Sequence, residues 1–132
     1  MAGAVPYLSY ADAPRAIDWL VQLGFSVVAR QDDGGRVVHC ELRLGGAVIM
    51  AGSDDADYTV APLSGQSTGA GVYLVVDDVD GTFRRAVASG GTSVIEPEDT
   101  PWGSRRARVL DPAGREWTFG SYRPGGQEDP GQ

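Results

Sequence analysis

The chain has 132 residues, room for one hydrophobic core, because a second domain would need about 100 further residues. Hydrophobic residues make up 42% and charged residues 22%, which excludes a disordered chain and a fibrous repeat. The net charge of -7 argues against binding to nucleic acid or to anionic lipid, so we expect a small-molecule partner, no nucleic acid and no membrane.

The absence of lysine and the presence of a single cysteine exclude several kinds of chemistry. All 11 basic residues are arginine, which excludes a lysine-dependent phosphate loop and Schiff-base catalysis. Cys40 is the only cysteine, so no internal disulfide can form. The first ten residues lack a basic segment followed by a long apolar run, and no stretch approaches the roughly 18 apolar residues of a membrane span. We expect a cytoplasmic protein.

The first half of the chain predicts one strand, one helix and three further strands. Residues 5–10 form the first strand, and Asp12 then caps a helix through its side-chain oxygen. Apolar residues follow helical spacing up to Gly24, a residue that readily ends a helix in the left-handed conformation. The three extended segments that follow are 25–30, 37–44 and 47–51.

The second half repeats the first. A shift of 66 positions aligns identical residues, namely Gly3, Ala4, Tyr7, Leu8, Asp12, Gly24 and Val28 with Gly69, Ala70, Tyr73, Leu74, Asp78, Gly90 and Val94. Its strands are predicted at 72–76, 93–96, 105–110 and 116–122. The fold class is therefore α+β, with two tandem βαβββ modules at about 4–51 and 70–122. We expect a linker at 52–69 and a disordered tail at 123–132.

Alternation along the strands predicts which side chains face the helices and which line a cavity. In 37–44, Val38, Cys40, Leu42 and Leu44 should pack on a helix, opposite a mostly polar set that contains His39 and Glu41. Aligning the two modules places Arg105 level with His39. The predicted ligand-binding residues are Tyr7, Ser9, His39, Glu41, Met50, Tyr73, Trp102, Arg105, Glu116 and Thr118. The residues Trp19, Phe25, Trp117 and Phe119 are predicted to be core.

Two segments give the sequence a family resemblance: VPYLSYADAPRAIDWL near the start and LDPAGREWTFGSY near the end. Together with the paired modules they resemble the vicinal oxygen chelate superfamily of glyoxalases, bleomycin-resistance proteins and extradiol dioxygenases. The resemblance covers 1–122 as a single domain and is greatest to the small glyoxalase/bleomycin-resistance branch. It implies curved sheets that enclose a cup-like cavity. It also implies a homodimer that completes its cups by pairing modules between chains, the alternative being a monomer that pairs its own halves.

The resemblance also implies where a metal ion would bind. Metal-dependent relatives place His, Glu or Gln at four strand positions, which fall here on Val5, Met50, Gly71 and Thr118. These residues cannot supply a ligand set for a hard divalent cation, so we expect no metal and no other cofactor. A different metal site, formed by His39, Glu41 and Glu116, is the alternative.

Three functions remain in competition. The first is a metal-free protein that binds a small, largely aromatic molecule such as an antibiotic, as bleomycin-resistance proteins do. The acidic surface would favour a cationic drug. The second is a metal-independent isomerase, cyclase or lyase acting on a small carbonyl compound, with His39 as general base, Glu41 orienting it and Arg105 stabilising an enolate oxygen. The third is a metal-dependent glyoxalase-like lyase or dioxygenase.

Overall fold

Two βαβββ modules follow one another along the chain, as the sequence predicts. The computed structural model describes residues 3–56 and 70–125. The first module contains β1 (Tyr7–Tyr10), α1 (Ala13–Leu23), β2 (Ser26–Asp33), β3 (Arg36–Leu44) and β4 (Ala47–Ser53). The second contains β5 (Val72–Val75), α2 (Val79–Ala88), β6 (Thr92–Asp99), β7 (Arg105–Leu110) and β8 (Glu116–Gly120).

Most element bounds differ from the prediction by a few residues. β2 and β6 each continue three residues further, because each forms a long hairpin with the strand that follows it. β4 includes Gly52 and Ser53, which the prediction assigned to the linker 52–69; residues 57–69 lie outside the described part of the chain. The last strand ends at Gly120, and most of the predicted tail, 126–132, is also outside the described residues.

Each module forms its own four-stranded mixed sheet. The strand orders are β1-β4-β3-β2 and β5-β8-β7-β6. β1 runs parallel to β4 and β5 runs parallel to β8, while the remaining pairs are antiparallel. The two sheets therefore repeat the same topology, with β1 and β5 as equivalent edge strands.

Both helices begin after the predicted aspartates, and α1 ends at the predicted glycine, whereas α2 ends at Ala88 with Ser89 as its cap. Asp12 accepts a hydrogen bond from the backbone N–H of Arg15 at 3.2 Å, and Asp78 accepts one from Gly81 at 2.9 Å. α1 ends at Gly24, whose φ of 119° is strained for any residue with a side chain. Neither helix of the described residues has the length and hydropathy that crossing a bilayer would require.

One core joins the two modules through their helices. The Trp19 indole N–H of α1 donates to the carbonyl of Ala86 in α2 at 3.0 Å, and the rings of Trp19 and Trp117 are 5.7 Å apart. Trp19, Phe25, Trp117 and Phe119 are all buried, which confirms their prediction as core. Each sheet thus turns its helix-covered face toward this shared core. We call the other face of each sheet its open face.

The alternation predicted for β3 is wrong at its start. Val38 was predicted to pack on a helix but is 51% exposed, whereas Val37 is buried. The pairing with β2 explains this, because Gln31 pairs with His39 and Asp32 with Val37, leaving Val38 as an extra residue. Such a bulge resets the alternation of the strand. From His39 onward the prediction holds, with Cys40 and Leu42 buried.

Candidate ligand-binding site

The open face of the first module carries a row of side chains in register across its four strands. Tyr7 pairs with Met50, Met50 with Glu41, and Glu41 with Ala29. Next to this row, His39 Nε2 lies 2.6 Å from Glu41 Oε2. Both side chains of this pair are about 40% exposed, at 39% and 42%, so a ligand can reach them.

The open face of the second module has the equivalent row with different chemistry. Tyr73 pairs with Thr118, Thr118 with Arg108, and Arg108 with Ile95. Arg108 Nε donates to Thr118 Oγ1 at 3.0 Å. Glu116 Oε1 lies 3.9 Å from the same nitrogen, and both charged side chains are largely buried. Arg108 was not among the predicted site residues.

Each open face carries a tyrosine next to a glycine. In the second module, a Cβ atom added to Gly120 would lie 2.1 Å from the Tyr73 hydroxyl oxygen. That hydroxyl donates to the carbonyl of Tyr122 at 2.9 Å, and burial raises the pKa of Tyr73. In the first module the Tyr7 hydroxyl lies 4.0 Å from the corresponding position on Gly52. Gly120 therefore leaves the room that the hydroxyl and ring of Tyr73 occupy, whereas at Gly52 the Tyr7 hydroxyl is only at van der Waals distance.

Arg105 does not join His39 and Glu41. Its Nε and Nη2 donate to Asp80 in the first turn of α2, at 2.6 and 3.0 Å, and its Nη1 donates to Asp99 at 3.0 Å. These hydrogen bonds lower the pKa of Asp80.

The predicted alignment of Arg105 with His39 was wrong by one residue. Arg105 shares a face with Ala107 and Val109, which are buried under α2, so β7 presents Arg106 and Arg108 on the open face. Counting alternation from those two apolar residues would have found Arg108.

The other predicted residues lie at the ends of the open faces. Trp102 is 63% exposed in the turn between β6 and β7. Thr100 fixes this turn, because its backbone N–H donates to the Ser104 carbonyl at 2.8 Å and its hydroxyl oxygen accepts from the Ser104 N–H at 3.1 Å. Ser9 lies opposite Gly52 at the end of β1, and its carbonyl accepts from Arg115 of the other module.

A cleft of about 670 Å³ opens along the free edge of β5. It is lined by that strand, the turn between β3 and β4, and the first turns of α2. Tyr73 is the one predicted ligand-binding residue in its wall. The structure thus distributes the predicted residues over two open faces and does not gather them in one closed pocket.

The four positions used for metal binding in the family do not fit a divalent ion here. Val5 and Met50 offer no hard donor, and the Thr118 oxygen already accepts from the Arg108 cation. At Gly71 an added Cβ would lie 2.8 Å from Glu116 Oε1, so the Glu116 carboxylate fills the room of a side chain there.

The alternative metal site is not formed either. His39 and Glu41 lie on the first module and Glu116 on the second, and no three His, Cys, Asp or Glu side chains in 3–56 and 70–125 are grouped to hold a metal. Within those ranges every buried side-chain nitrogen or oxygen has a hydrogen-bond partner, so no orphaned ligand atom points to a missing cofactor.

Two tandem βαβββ modules that share one core define a class of protein, and comparison with known proteins identifies that class. The model of the Glyoxalase/Bleomycin resistance protein/Dioxygenase superfamily matches residues 5–119, and the chain belongs to that superfamily.

Three known proteins are similar to the chain over different lengths. An uncharacterised protein of Mycobacterium tuberculosis is 35% identical over 87% of this chain and 71% of its own length. The crystal structure of TioX from Micromonospora sp. ML1 superposes with a TM-score of 0.74 at 35% identity, covering 93% of this chain and all of TioX. A shorter match, 48% identical over 41% of this chain and 19% of the relative, is to the anthracycline biosynthesis protein DnrV of Streptomyces peucetius.

Proposed function

We propose that this protein binds a planar aromatic small molecule without a metal ion. The observation that carries the proposal is the pair of open faces, each with an exposed tyrosine next to a glycine and a few polar groups beside it. Aromatic surfaces with a few convergent polar groups are the usual composition of small-molecule sites. The partial similarity to an anthracycline biosynthesis protein supports a polycyclic aromatic ligand, with sequestration of an antibiotic as the biological role.

The site we propose is completed by a second copy of the chain. Both open faces turn away from the shared core, and β1 and β5 each leave one edge unpaired among the described strands. Exposed apolar residues, including Val5 and Tyr7, continue along the β1 edge. A two-fold dimer that apposes one module's open face with a module of the partner would enclose the ligand between them.

Titration calorimetry with an anthracycline, run with Tyr7→Ala and the control Val21→Ala, tests this function. Tyr7 is 50% exposed on an open face and Val21 is 42% exposed on α1, so both substitutions remove exposed apolar surface. We expect binding by the native chain and by Val21→Ala, with affinity for Tyr7→Ala lower by about tenfold. Equal affinity in all three proteins, or no binding by folded native protein, would refute the proposal.

The close pairing of His39 with Glu41 favours a second candidate, metal-independent proton abstraction from a small carbonyl compound. A carboxylate that orients an imidazole is a common arrangement for a general base. Proton magnetic resonance in D₂O should then show exchange of the α-protons of a hydroxyketone such as dihydroxyacetone. Exchange should vanish in His39→Ala and slow in Glu41→Gln. Exchange that is no faster than in buffer would eliminate the enzyme.

A further inference from the structure

We propose that the Arg108 guanidinium takes the place of a divalent ion on the second module's open face and selects ligands that carry an anionic pair of oxygens. A carboxylate or phenolate beside a hydroxyl group on an aromatic ring is the ligand class it fits. The proposal deepens the binding function proposed above and rests on it.

The first step in the argument is the position of the charge. Arg108 Nε donates to Thr118 Oγ1 at 3.0 Å, and Thr118 is one of the four positions to which the family resemblance assigns metal ligands. The positive charge therefore lies next to one of those four positions. The side chain is 25% exposed, so bulk water screens its charge only partly.

The second step is that the end of this side chain is available. The Nη1 and Nη2 groups of Arg108 make no hydrogen bond to any residue in 3–56 or 70–125. Its neighbour on the same face, Arg106, is bound to Glu98 at 2.9 Å, and Arg105 on the other face is bound to two aspartates. Glu116 Oε1 lies 3.9 Å from Arg108 Nε, which is beyond hydrogen-bond distance.

The third step is the chemistry of the guanidinium group. Its planar fork donates two parallel hydrogen bonds to a pair of oxygens, a geometry that a lysine cannot provide. The register of the sheet places Tyr73 and Ile95 at the two ends of the row that contains Arg108. An aromatic ring bound through its oxygens would extend over these apolar neighbours. Because arginine stays protonated, affinity should rise with pH as the ligand's own acid group ionises.

Two naphthalene compounds that differ in one group test the inference. We would titrate 3-hydroxy-2-naphthoate and its uncharged analogue 3-hydroxy-2-naphthamide into the native chain, Arg108→Gln and Arg106→Gln, by calorimetry. Arg106→Gln is the matched control, because it removes the same charge from the same strand where Glu98 already neutralises it. Circular dichroism establishes that each variant is folded.

The native chain and Arg106→Gln should bind the naphthoate at least about tenfold more tightly than the naphthamide, and Arg108→Gln should lose this preference. Equal affinity for the two compounds in the native chain would overturn the role of Arg108 and leave aromatic binding intact. A preference that survives in Arg108→Gln would overturn it too. If folded native protein binds neither compound, this inference fails, and the anthracycline titration decides separately whether the proposed binding function fails with it.

Discussion

At the scale of single residues, the buried carboxylate of Asp111 forms a polar link between the modules. It is 3% exposed and accepts hydrogen bonds from the Tyr10 hydroxyl at 2.7 Å and the Trp117 indole N–H at 3.1 Å. It also accepts from the backbone N–H groups of Ala113 and Arg115 at 3.0 and 2.9 Å. Tyr10 belongs to the first module and the other three donors to the second, so one side chain ties the two together.

Asp111→Asn should lower the free energy of unfolding by about 2 to 3 kcal/mol, because an amide NH₂ would face donors and leave buried groups unpaired. Urea denaturation measures the change. Asp55→Asn, at an exposed position, is the control and should leave stability unaltered. A loss for Asp111→Asn no larger than the control's would show that the carboxylate has no such role.

The buried Tyr10 hydroxyl should make the protein's stability fall in alkali, where tyrosine ionises. Burial, followed by the hydrogen bond to Asp111, raises the pKa of the Tyr10 hydroxyl above its ordinary value. Its contribution to stability is therefore complete below the unfolded pKa of about 10 and is lost as pH rises above it. Stability measured from about pH 9 to pH 11 should fall less steeply in Tyr10→Phe than in the native chain. Identical slopes would contradict this.

At the scale of strands, the fit of Tyr73 on Gly120 positions the aromatic part of the second open face. A methyl group on Gly120 would meet the hydroxyl and ring of Tyr73, whereas nothing lies within 4 Å of a methyl group on Gly46 in the β3–β4 turn. A methyl group on Gly120 would therefore displace the Tyr73 ring from β8 and break its hydrogen bond to the Tyr122 carbonyl.

Gly120→Ala should therefore cost about 1 to 3 kcal/mol of stability and weaken aromatic ligand binding, while Gly46→Ala should do neither. Thermal unfolding and the anthracycline titration give the two readouts. Unchanged stability and affinity for Gly120→Ala would mean that Tyr73 does not depend on this glycine.

The sequence predicts the elements well because strong local patterns determine them. Asp12 and Asp78 cap helices, Gly24 ends one, and the repeat transfers each assignment to the other module. The errors occur where pairing between strands decides the outcome. The bulge at Val38 depends on the register with β2. Arg105 was misassigned because the two modules were aligned one residue out of register, although alternation from the buried Ala107 and Val109 places it on the helix-covered face.

The candidate site was harder to predict than the fold. Tyr7, Tyr73, His39 and Glu41 lie on the open faces because simple alternation places them there. Arg108 was missed because the predicted alignment of the two modules was one residue out of register. It placed Arg105 level with His39, whereas the strand pairing makes Arg108 the equivalent of Glu41. Whether these residues bind a ligand stays a prediction, since alternation assigns a face and not a role.

At the scale of the whole molecule, the two modules keep one architecture and diverge in charge. Equivalent rows present a glutamate beside a histidine on the first open face and an arginine beside a threonine on the second. The guanidinium of the second row lies next to Thr118, one of the four positions to which the family resemblance assigns metal ligands. The proposed metal-free binding therefore depends on the inability of Val5, Met50, Gly71 and Thr118 to bind a divalent ion.

Titration of the metal-stripped chain with Ni²⁺, Zn²⁺ and Mn²⁺ by calorimetry, with elemental analysis of the protein as purified, tests this dependence most directly. We expect no stoichiometric metal after purification and no saturable heat of binding. One tightly bound ion per chain, with affinity reduced in Met50→Ala or Thr118→Ala, would contradict it.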